Sequence, residues 1–131
     1  MLRQGTNTIK GSGLIRQQGG GVVTCAGNEV FLIPATAYST ERMKAIYSSA
    51  EGGLYTAGQI KFEPSPPEYV ANMRTTKCDA QGGFVYDRVA DGKFYVVSSA
   101  VWIVRDSRQG GSIMKSATLS GGETKYVVLS P

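Results

Sequence analysis

The segment Cys78–Ser98 reads CDAQGGFVYDRVADGKFYVVS and contains two β-strands together with the turns that flank them. Its first part, Asp79–Gly83, is a cluster of turn-forming residues, and the alternating stretch Phe84–Tyr86 predicts a short strand. Asp91–Gly92 predicts a second turn, and the apolar run that begins at Phe94 predicts a long strand. The segment therefore indicates a β-sandwich.

Similar patterns along the rest of the chain predict mainly β structure. Seven strands are expected, a number that suits a two-sheet sandwich. They fall near residues 7 to 17, 29 to 34, 69 to 77, 83 to 87, 93 to 104, 112 to 119 and 124 to 130. A length of 131 residues is close to the commonest domain size, so we expect one domain that spans residues 1–131.

One short amphipathic helix is predicted between the second and third strands. Met43, Ile46 and Tyr47 have the i, i+3, i+4 spacing of apolar residues on one helix face. Ser39 is a suitable N-cap, and Glu51–Gly53 offers a stop signal. The helix is therefore expected to begin near Ser39 and to end before Glu51–Gly53.

Three groups of residues occupy turn and strand positions that are typical of a known family. The groups are Asp79, Gly82, Phe84, Tyr86, Val89, Gly92, Tyr95 and Val97; Gly21–Val23 leading into Ala26–Pro34; and Gly121–Glu123 before Tyr126–Leu129. On these residues the chain resembles the carboxypeptidase regulatory-like domain family over roughly residues 10 to 130. It departs from that family by one extra residue after Gly92 and by an insertion at about residues 37–68.

The resemblance implies a transthyretin-like, or prealbumin-like, Greek-key β-sandwich of seven strands, with the short helix in the insertion. Domains of this family are usually structural or binding modules. The resemblance therefore implies a non-enzymatic structural or protein-interaction module, expected as a subunit of a bacterial cell-envelope assembly in the periplasm or at the outer membrane. A signal peptide or lipid anchor is expected to have been trimmed from the sequence.

The same resemblance bears on the two cysteines. In the family arrangement the segments that carry Cys25 and Cys78 approach each other near one end of the sandwich, which implies a disulfide between them. Closing a loop of about fifty residues stabilises a fold by roughly 4 kcal/mol in the chain-entropy model. A disulfide would also indicate an oxidising compartment. The alternative is a pair of buried free thiols, which behave as small hydrophobic groups.

The sequence argues against catalysis. It contains no histidine, which removes the usual general base, the commonest metal ligand and the Ser-His-Asp triad. A histidine-free structural zinc site would need four cysteines, and the chain has 2. Ser112 and Lys115 match the S-x-x-K pattern, but a strand would point them to opposite faces. We expect no catalytic residue, no metal and no cofactor.

The charge distribution of the chain and the sequence motifs that it lacks limit the kinds of partner that we expect. The net charge is +4, with 14 basic and 10 acidic residues, and the basic residues are dispersed, so nucleic acid is not an expected partner. Neither glycine-rich phosphate-binding motif occurs. No apolar run is long enough to span a membrane. Membrane contact is therefore expected only through a partner or through the removed lipid anchor.

Two predicted strands, Val30–Ile33 and Phe94–Ile103, are apolar on both faces. Their second face must be covered either by the predicted helix or by another protein chain. The expected partners are other protein subunits, in a homo-oligomer or a hetero-oligomer. The residues hypothesised to contact them lie in the insertion and are Tyr38, Arg42, Tyr47, Pro66, Pro67 and Tyr69.

Two further functions remain open. The first is a carbohydrate-binding module, in which Tyr38, Tyr47, Tyr55 or Trp102 would stack on sugar rings. The second is a decoration or tail structural protein of a virion, which would replace the envelope as the location. Both are compatible with a compact, turn-rich sandwich.

Overall fold

The structure is a computed structural model and describes residues 4–16, 21–47, 49, 51–55, 74–104 and 107–130. Its elements are β1 Gln4–Arg16, β2 Val22–Thr24, β3 Glu29–Pro34, α1 Ala37–Tyr47, β4 Gly52–Tyr55, β5 Arg74–Lys77, β6 Gly83–Val89, β7 Gly92–Val104, β8 Ser107–Leu119 and β9 Thr124–Leu129. The described residues thus form nine strands rather than the predicted seven, because the short β2 and β4 were not expected.

Sheet I contains β1, β2, β6 and β9, with β1 at its centre. β6 and β2 pair with the same edge of β1 in succession: the Gly13 N–H donates to the Gly82 carbonyl at 3.0 Å, and the Gly13 carbonyl accepts from the Cys25 N–H at 3.0 Å. β9 pairs with the opposite edge of β1 and runs parallel to it. β1 is therefore paired along both edges, and two of its three partners, β6 and β9, are distant from it in sequence.

Sheet II is antiparallel throughout and has the order β4, β8, β7, β3, β5. Its largest unit is the β7–β8 hairpin, in which pairing continues from Gly92 opposite Leu119 to Val104 opposite Ser107. This hairpin confirms the long apolar strand that was predicted from Phe94 onward. It forms the central part of the sheet against which the rest of the molecule packs.

The main core lies between the two sheets, as expected for a sandwich. Side chains from both sheets are buried there, among them Ile9, Phe84, Val127 and Leu129 of sheet I and Val30, Leu32, Val96, Ile113 and Leu119 of sheet II. The Tyr86 hydroxyl crosses the gap and donates to the Val30 carbonyl at 2.6 Å. Burial raises the pKa of Tyr86 above its usual range, so the phenol keeps the proton that this bond requires.

A second, smaller core lies between α1 and the outer face of sheet II. Met43 and Tyr47 of the helix pack with Ile33, Tyr95 and Met114 of the sheet. The helix therefore covers the second apolar face of sheet II, which is one of the two alternatives that the sequence left open. Its predicted position is confirmed to within a turn.

In the part of the chain that the structure describes, no helix has the length and apolar character needed to cross a membrane.

The predicted N-cap of α1 is wrong by one turn. The Ser39 N–H donates to Thr36 Oγ1 at 3.1 Å, and the Thr36 N–H donates to Ser39 Oγ at 2.8 Å, which makes Thr36 the cap and Ser39 its reciprocal partner. The Ser39 hydroxyl also donates to the Pro34 carbonyl at 2.8 Å. The helix ends at Tyr47, before the expected stop at Glu51–Gly53, and Gly52 begins β4.

Cys25 and Cys78 form the predicted disulfide, with an S–S distance of 2.00 Å and a Cα–Cα distance of 5.7 Å. It joins the residue after β2 in sheet I to the residue after β5 in sheet II, and both cysteines are buried. Two backbone bonds support it: the Gly27 N–H donates to the Cys78 carbonyl at 3.1 Å, and the Cys78 N–H donates to the Asn28 carbonyl at 2.9 Å. The disulfide indicates a location outside the reducing cytosol.

Asn7 connects three parts of the fold from a fully buried position. Its Nδ2 donates to the Val89 carbonyl at 2.9 Å and to Asp91 Oδ1 at 2.8 Å. Its Oδ1 accepts from the Gly122 N–H at 2.8 Å and from the Glu123 N–H at 3.0 Å. One amide side chain therefore joins β1 to the turn before β7 and to the turn before β9.

The start of β4 is held by Glu51. Its Oε1 accepts a hydrogen bond from Lys93 Nζ at 2.9 Å, and its Oε2 accepts one from the Ser116 hydroxyl at 2.8 Å. The hydrogen bond from Lys93 holds the pKa of Glu51 below its usual value and raises the pKa of Lys93. This surface cluster links the segment before β4 to strands β7 and β8.

Candidate binding face

The structure separates the residues predicted to contact a partner. Tyr38 and Arg42 lie one helical turn apart in α1, where Arg42 Nη1 donates to the Tyr38 hydroxyl at 3.1 Å. Tyr47 is buried in the second core, where its hydroxyl is 2.7 Å from Ser112 Oγ. Tyr47 therefore has little surface left for contact with a partner. The others, Pro66, Pro67 and Tyr69, lie outside the described residues.

The four aromatic residues that were predicted to stack on sugar rings also differ in their exposure to solvent. Tyr38 is 41% exposed, whereas Tyr47 is 9% exposed. The side chains of Tyr55 and Trp102 lie outside the part of the chain that the structure describes. Of the two whose side chains are described, Tyr38 is the exposed one.

Ser112 and Lys115 lie in β8, as predicted. Met114 packs under α1, and Ile113 packs between the sheets, so successive residues of β8 alternate between the two faces. Ser112 is on the same face as Met114, and Lys115 is on the opposite one. The strand therefore keeps these two side chains apart.

A different surface, the outer face of sheet I, presents exposed apolar side chains together with a lysine and hydroxyl groups. In β1, β6 and β9, core residues alternate with residues that point away from the core. We define the outer face of sheet I by the members of the second set that surround Lys10, which are Thr8, Lys10, Ser12, Val85, Thr124, Tyr126 and Val128. Leu14 of β1 and Asp87 of β6 continue this set beyond the defined face.

Strand register places these side chains next to one another. Lys10 of β1 lies directly beside Val85 of β6 on one edge and beside Tyr126 of β9 on the other. One step further along β1, Ser12 lies beside Val128. Neighbouring strands are about 4.8 Å apart, so these side chains form a continuous surface.

The apolar part of this face is open to solvent. Tyr126 is 74% exposed, Val85 is 55% exposed and Val128 is 53% exposed. Lys10 and Thr124 are also exposed, whereas Ser12 is half-buried. Contiguous exposed apolar side chains on a folded protein commonly mark a contact site. Here they surround a lysine and lie beside hydroxyl groups, which suits a partner that is partly apolar and partly polar.

The physical cause of the open face is the composition of β9. The run Tyr126–Leu129 is apolar on both faces, and the sandwich core uses only Val127 and Leu129. Periodicity alone does not say which of two apolar sets is buried, so the sequence patterns did not single out Tyr126 or Val128. The sequence did contain one indication that Tyr126 is exposed. Unlike the apolar residues that follow it in β9, Tyr126 carries a polar hydroxyl group, which favours an aqueous position.

Comparison with known proteins gives one informative likeness. No protein-family model matches this chain, and no curated protein sequence matches it significantly. Among solved structures, it is similar to a Pseudomonas aeruginosa protein described as a candidate carbohydrate-binding protein, with a TM-score of 0.82 and 23% identity. The match covers 99% of this chain and 92% of that chain. At this level of identity, the likeness shows that the two chains share a fold.

Proposed function

We propose that this protein is a non-enzymatic carbohydrate-binding module that works in the periplasm or elsewhere in the cell envelope. The observation that carries the proposal is Tyr126, a residue that is 74% exposed on the outer face of sheet I. An aromatic ring has a negative face that attracts the weakly positive C–H groups of a pyranose ring. A sugar that stacks on Tyr126 would keep its hydroxyl groups free to bond with neighbouring side chains.

The surroundings of Tyr126 support this assignment. Val128, in the same strand, and Val85, across β1, extend the apolar surface around the ring. Ser12 and Thr124 supply hydroxyl groups that can donate to sugar oxygens and accept from sugar hydroxyls. The Pseudomonas aeruginosa protein of the same fold, described as a candidate carbohydrate-binding protein, gives further support. The disulfide is consistent with a location in the cell envelope. Membership of the carboxypeptidase regulatory-like family stays a prediction.

The test is binding to a panel of immobilised glycans that includes neutral and acidic chains, followed by titration of the best ligand. We expect Tyr126→Ala to weaken binding about tenfold, which corresponds to the loss of one stacked ring. Tyr38→Ala is the matched control, because Tyr38 is also an exposed tyrosine but lies on α1. If no glycan binds, or if only Tyr38→Ala weakens binding, the proposed site is wrong.

A second candidate function is that of a subunit in an envelope assembly. The observation that favours it is the Tyr38–Arg42 pair on α1, since Tyr and Arg are the residue types most enriched in protein interfaces. Native mass spectrometry of the protein from its own source tests it. The expected result is a complex that is lost in the double variant Tyr38→Ala/Arg42→Ala and retained in Tyr126→Ala. A monomer under all conditions would contradict it.

A further inference from the structure

Lys10 occupies the centre of the outer face of sheet I. It lies on the central strand β1, with Val85 beside it on one neighbouring strand and Tyr126 beside it on the other. Its side chain is exposed. A cation in this position is within reach of any ligand that contacts Tyr126.

The charge of Lys10 is not compensated within the described part of the chain, where no carboxylate forms an ion pair with it. Asp87, two residues beyond Val85 in β6, is already shared by Arg74 and Arg88, with nitrogen–oxygen distances of 3.8 Å to each. Lys10 therefore adds a positive charge to a face whose defined residues are otherwise neutral hydroxyl and apolar groups, and the adjoining Asp87 carboxylate is held near two arginines. Such a face attracts an anionic ligand more strongly than a neutral one.

The pairing of β1 with β9 places the ammonium group of Lys10 near the proposed stacking site on Tyr126. A sugar ring over Tyr126 extends its substituents across to β1, because the two strands are about 4.8 Å apart. A carboxylate on that sugar would meet the ammonium group of Lys10, while the apolar stem of the lysine would lie against the ring. A neutral sugar of the same shape would leave this cation without a partner.

We infer that the outer face of sheet I prefers acidic glycans, with the Lys10 ammonium paired to the carboxylate of a uronic acid that stacks on Tyr126. This inference rests on the proposed carbohydrate-binding function and adds the charge class of the ligand. Ser12 and Thr124 would bind the hydroxyl groups of the same sugar. The partner chemistry is thus a carboxylated pyranose, whatever polymer carries it.

The experiment compares glycans that differ only in charge. Oligogalacturonate is titrated against its methyl ester, and a hyaluronan oligosaccharide against its carboxyl-reduced form, using the complete protein at low salt. An exposed ion pair is weak, so we expect about two- to fivefold tighter binding of each acidic form. In Lys10→Gln this preference should disappear, so that the acidic and neutral forms of each glycan bind with the same affinity. The preference should also decrease as salt is added.

Lys125→Gln is the matched control, because it removes the same charge from β9 at a residue that is paired with Glu123. If Lys125→Gln reduces the preference as much as Lys10→Gln does, overall charge explains the effect and the inference is wrong. Equal binding of acidic and neutral forms by the unmodified protein also overturns it but leaves carbohydrate binding intact. Absence of binding to every glycan, neutral ones included, overturns the proposed function itself.

Discussion

At the level of single residues, the fold depends on a few polar side chains whose partners are distant in sequence. Asn7 is the clearest of them, because its amide makes four hydrogen bonds from a fully buried position. Its partner Gly122 is 115 residues away. Such a residue looks ordinary in the sequence, since asparagine in a strand pattern usually marks a weak or exposed position. Its role is visible only when the turns that it joins are brought together.

We therefore predict that Asn7→Ala lowers the free energy of unfolding by about 2 kcal/mol, because the Val89 carbonyl and the turn amides lose their partner. Denaturant titration measures this change. Asn7→Asp should cost more at neutral pH, since the new carboxylate would face the Asp91 carboxylate, and part of that cost should be recovered in acid. The exposed change Thr118→Ala serves as the control and should have little effect. An Asn7→Ala variant as stable as this control would contradict the prediction.

At the level of elements, local chemistry made the turns predictable. The Asp79 carboxylate accepts from the Gln81 and Gly83 N–H groups at 2.9 Å each, and Gly82 has a positive φ of 80°, so the expected turn forms from its own residues. The short strands β2 and β4 were not predictable in this way. They have 3 and 4 residues and are strands only because β1 and β8 pair with them.

The N-terminus of α1 shows a different limit of prediction. Thr36 and Ser39 both carry hydroxyl groups that favour a cap, and each bonds to the backbone N–H of the other. The sequence therefore contains two equally good starting points one turn apart. The choice between them is made by the Pro34 carbonyl at the end of β3, which accepts the Ser39 hydroxyl and fixes where the chain leaves the sheet.

The anchoring of β4 by Glu51 predicts a dependence on pH. Because the folded-state pKa of Glu51 lies below its usual value, the ionised group stabilises the fold above the unfolded-state pKa, and this stabilisation is lost as the pH falls through the folded-state pKa. Titration of the Glu51 carboxyl carbon by NMR should show the lowered pKa in the unmodified protein. In Lys93→Met the pKa should move back towards its usual value, since the hydrogen bond from Lys93 is its main cause.

Lys115→Met is the control for this titration. Lys115 is also an exposed lysine of sheet II, and it forms no ion pair with the described acidic residues. Its replacement should therefore leave the pKa of Glu51 almost unchanged. A Glu51 pKa that responds equally to both changes would mean that the general charge of the sheet, and not the contact at 2.9 Å, lowers it.

At the level of the whole molecule, the disulfide is the feature that the family resemblance predicted and the structure confirms. It joins sheets I and II across a sequence separation of 53 residues. The proposed binding site on the outer face of sheet I was not predicted, because this face arises from the side-by-side arrangement of β6, β1 and β9. No local segment contains that arrangement. The sequence thus allowed the sandwich to be predicted from its turns, while the surface depends on which strands become neighbours.

We predict that removing the disulfide with Cys25→Ala/Cys78→Ala lowers the free energy of unfolding by about 4 kcal/mol, since the unfolded chain regains the freedom of the closed loop. Denaturant titration of oxidised and reduced forms should show the same difference. Because Cys25 is 0% and Cys78 is 4% exposed, a mild reductant should open the bond only at the rate of unfolding. Equal midpoints for the oxidised and reduced forms would contradict the loop argument.

The parallel pairing of β1 with β9 has a consequence for the order in which the protein folds. Sheet I is complete only when β9 lies beside β1, more than a hundred residues earlier in the chain, and such distant pairing is associated with slow folding. A growing chain therefore cannot complete this sheet before β9 has emerged from the ribosome. We expect the nascent polypeptide to leave sheet I incomplete, and so to stay able to pass through a narrow channel, until β9 has been synthesised.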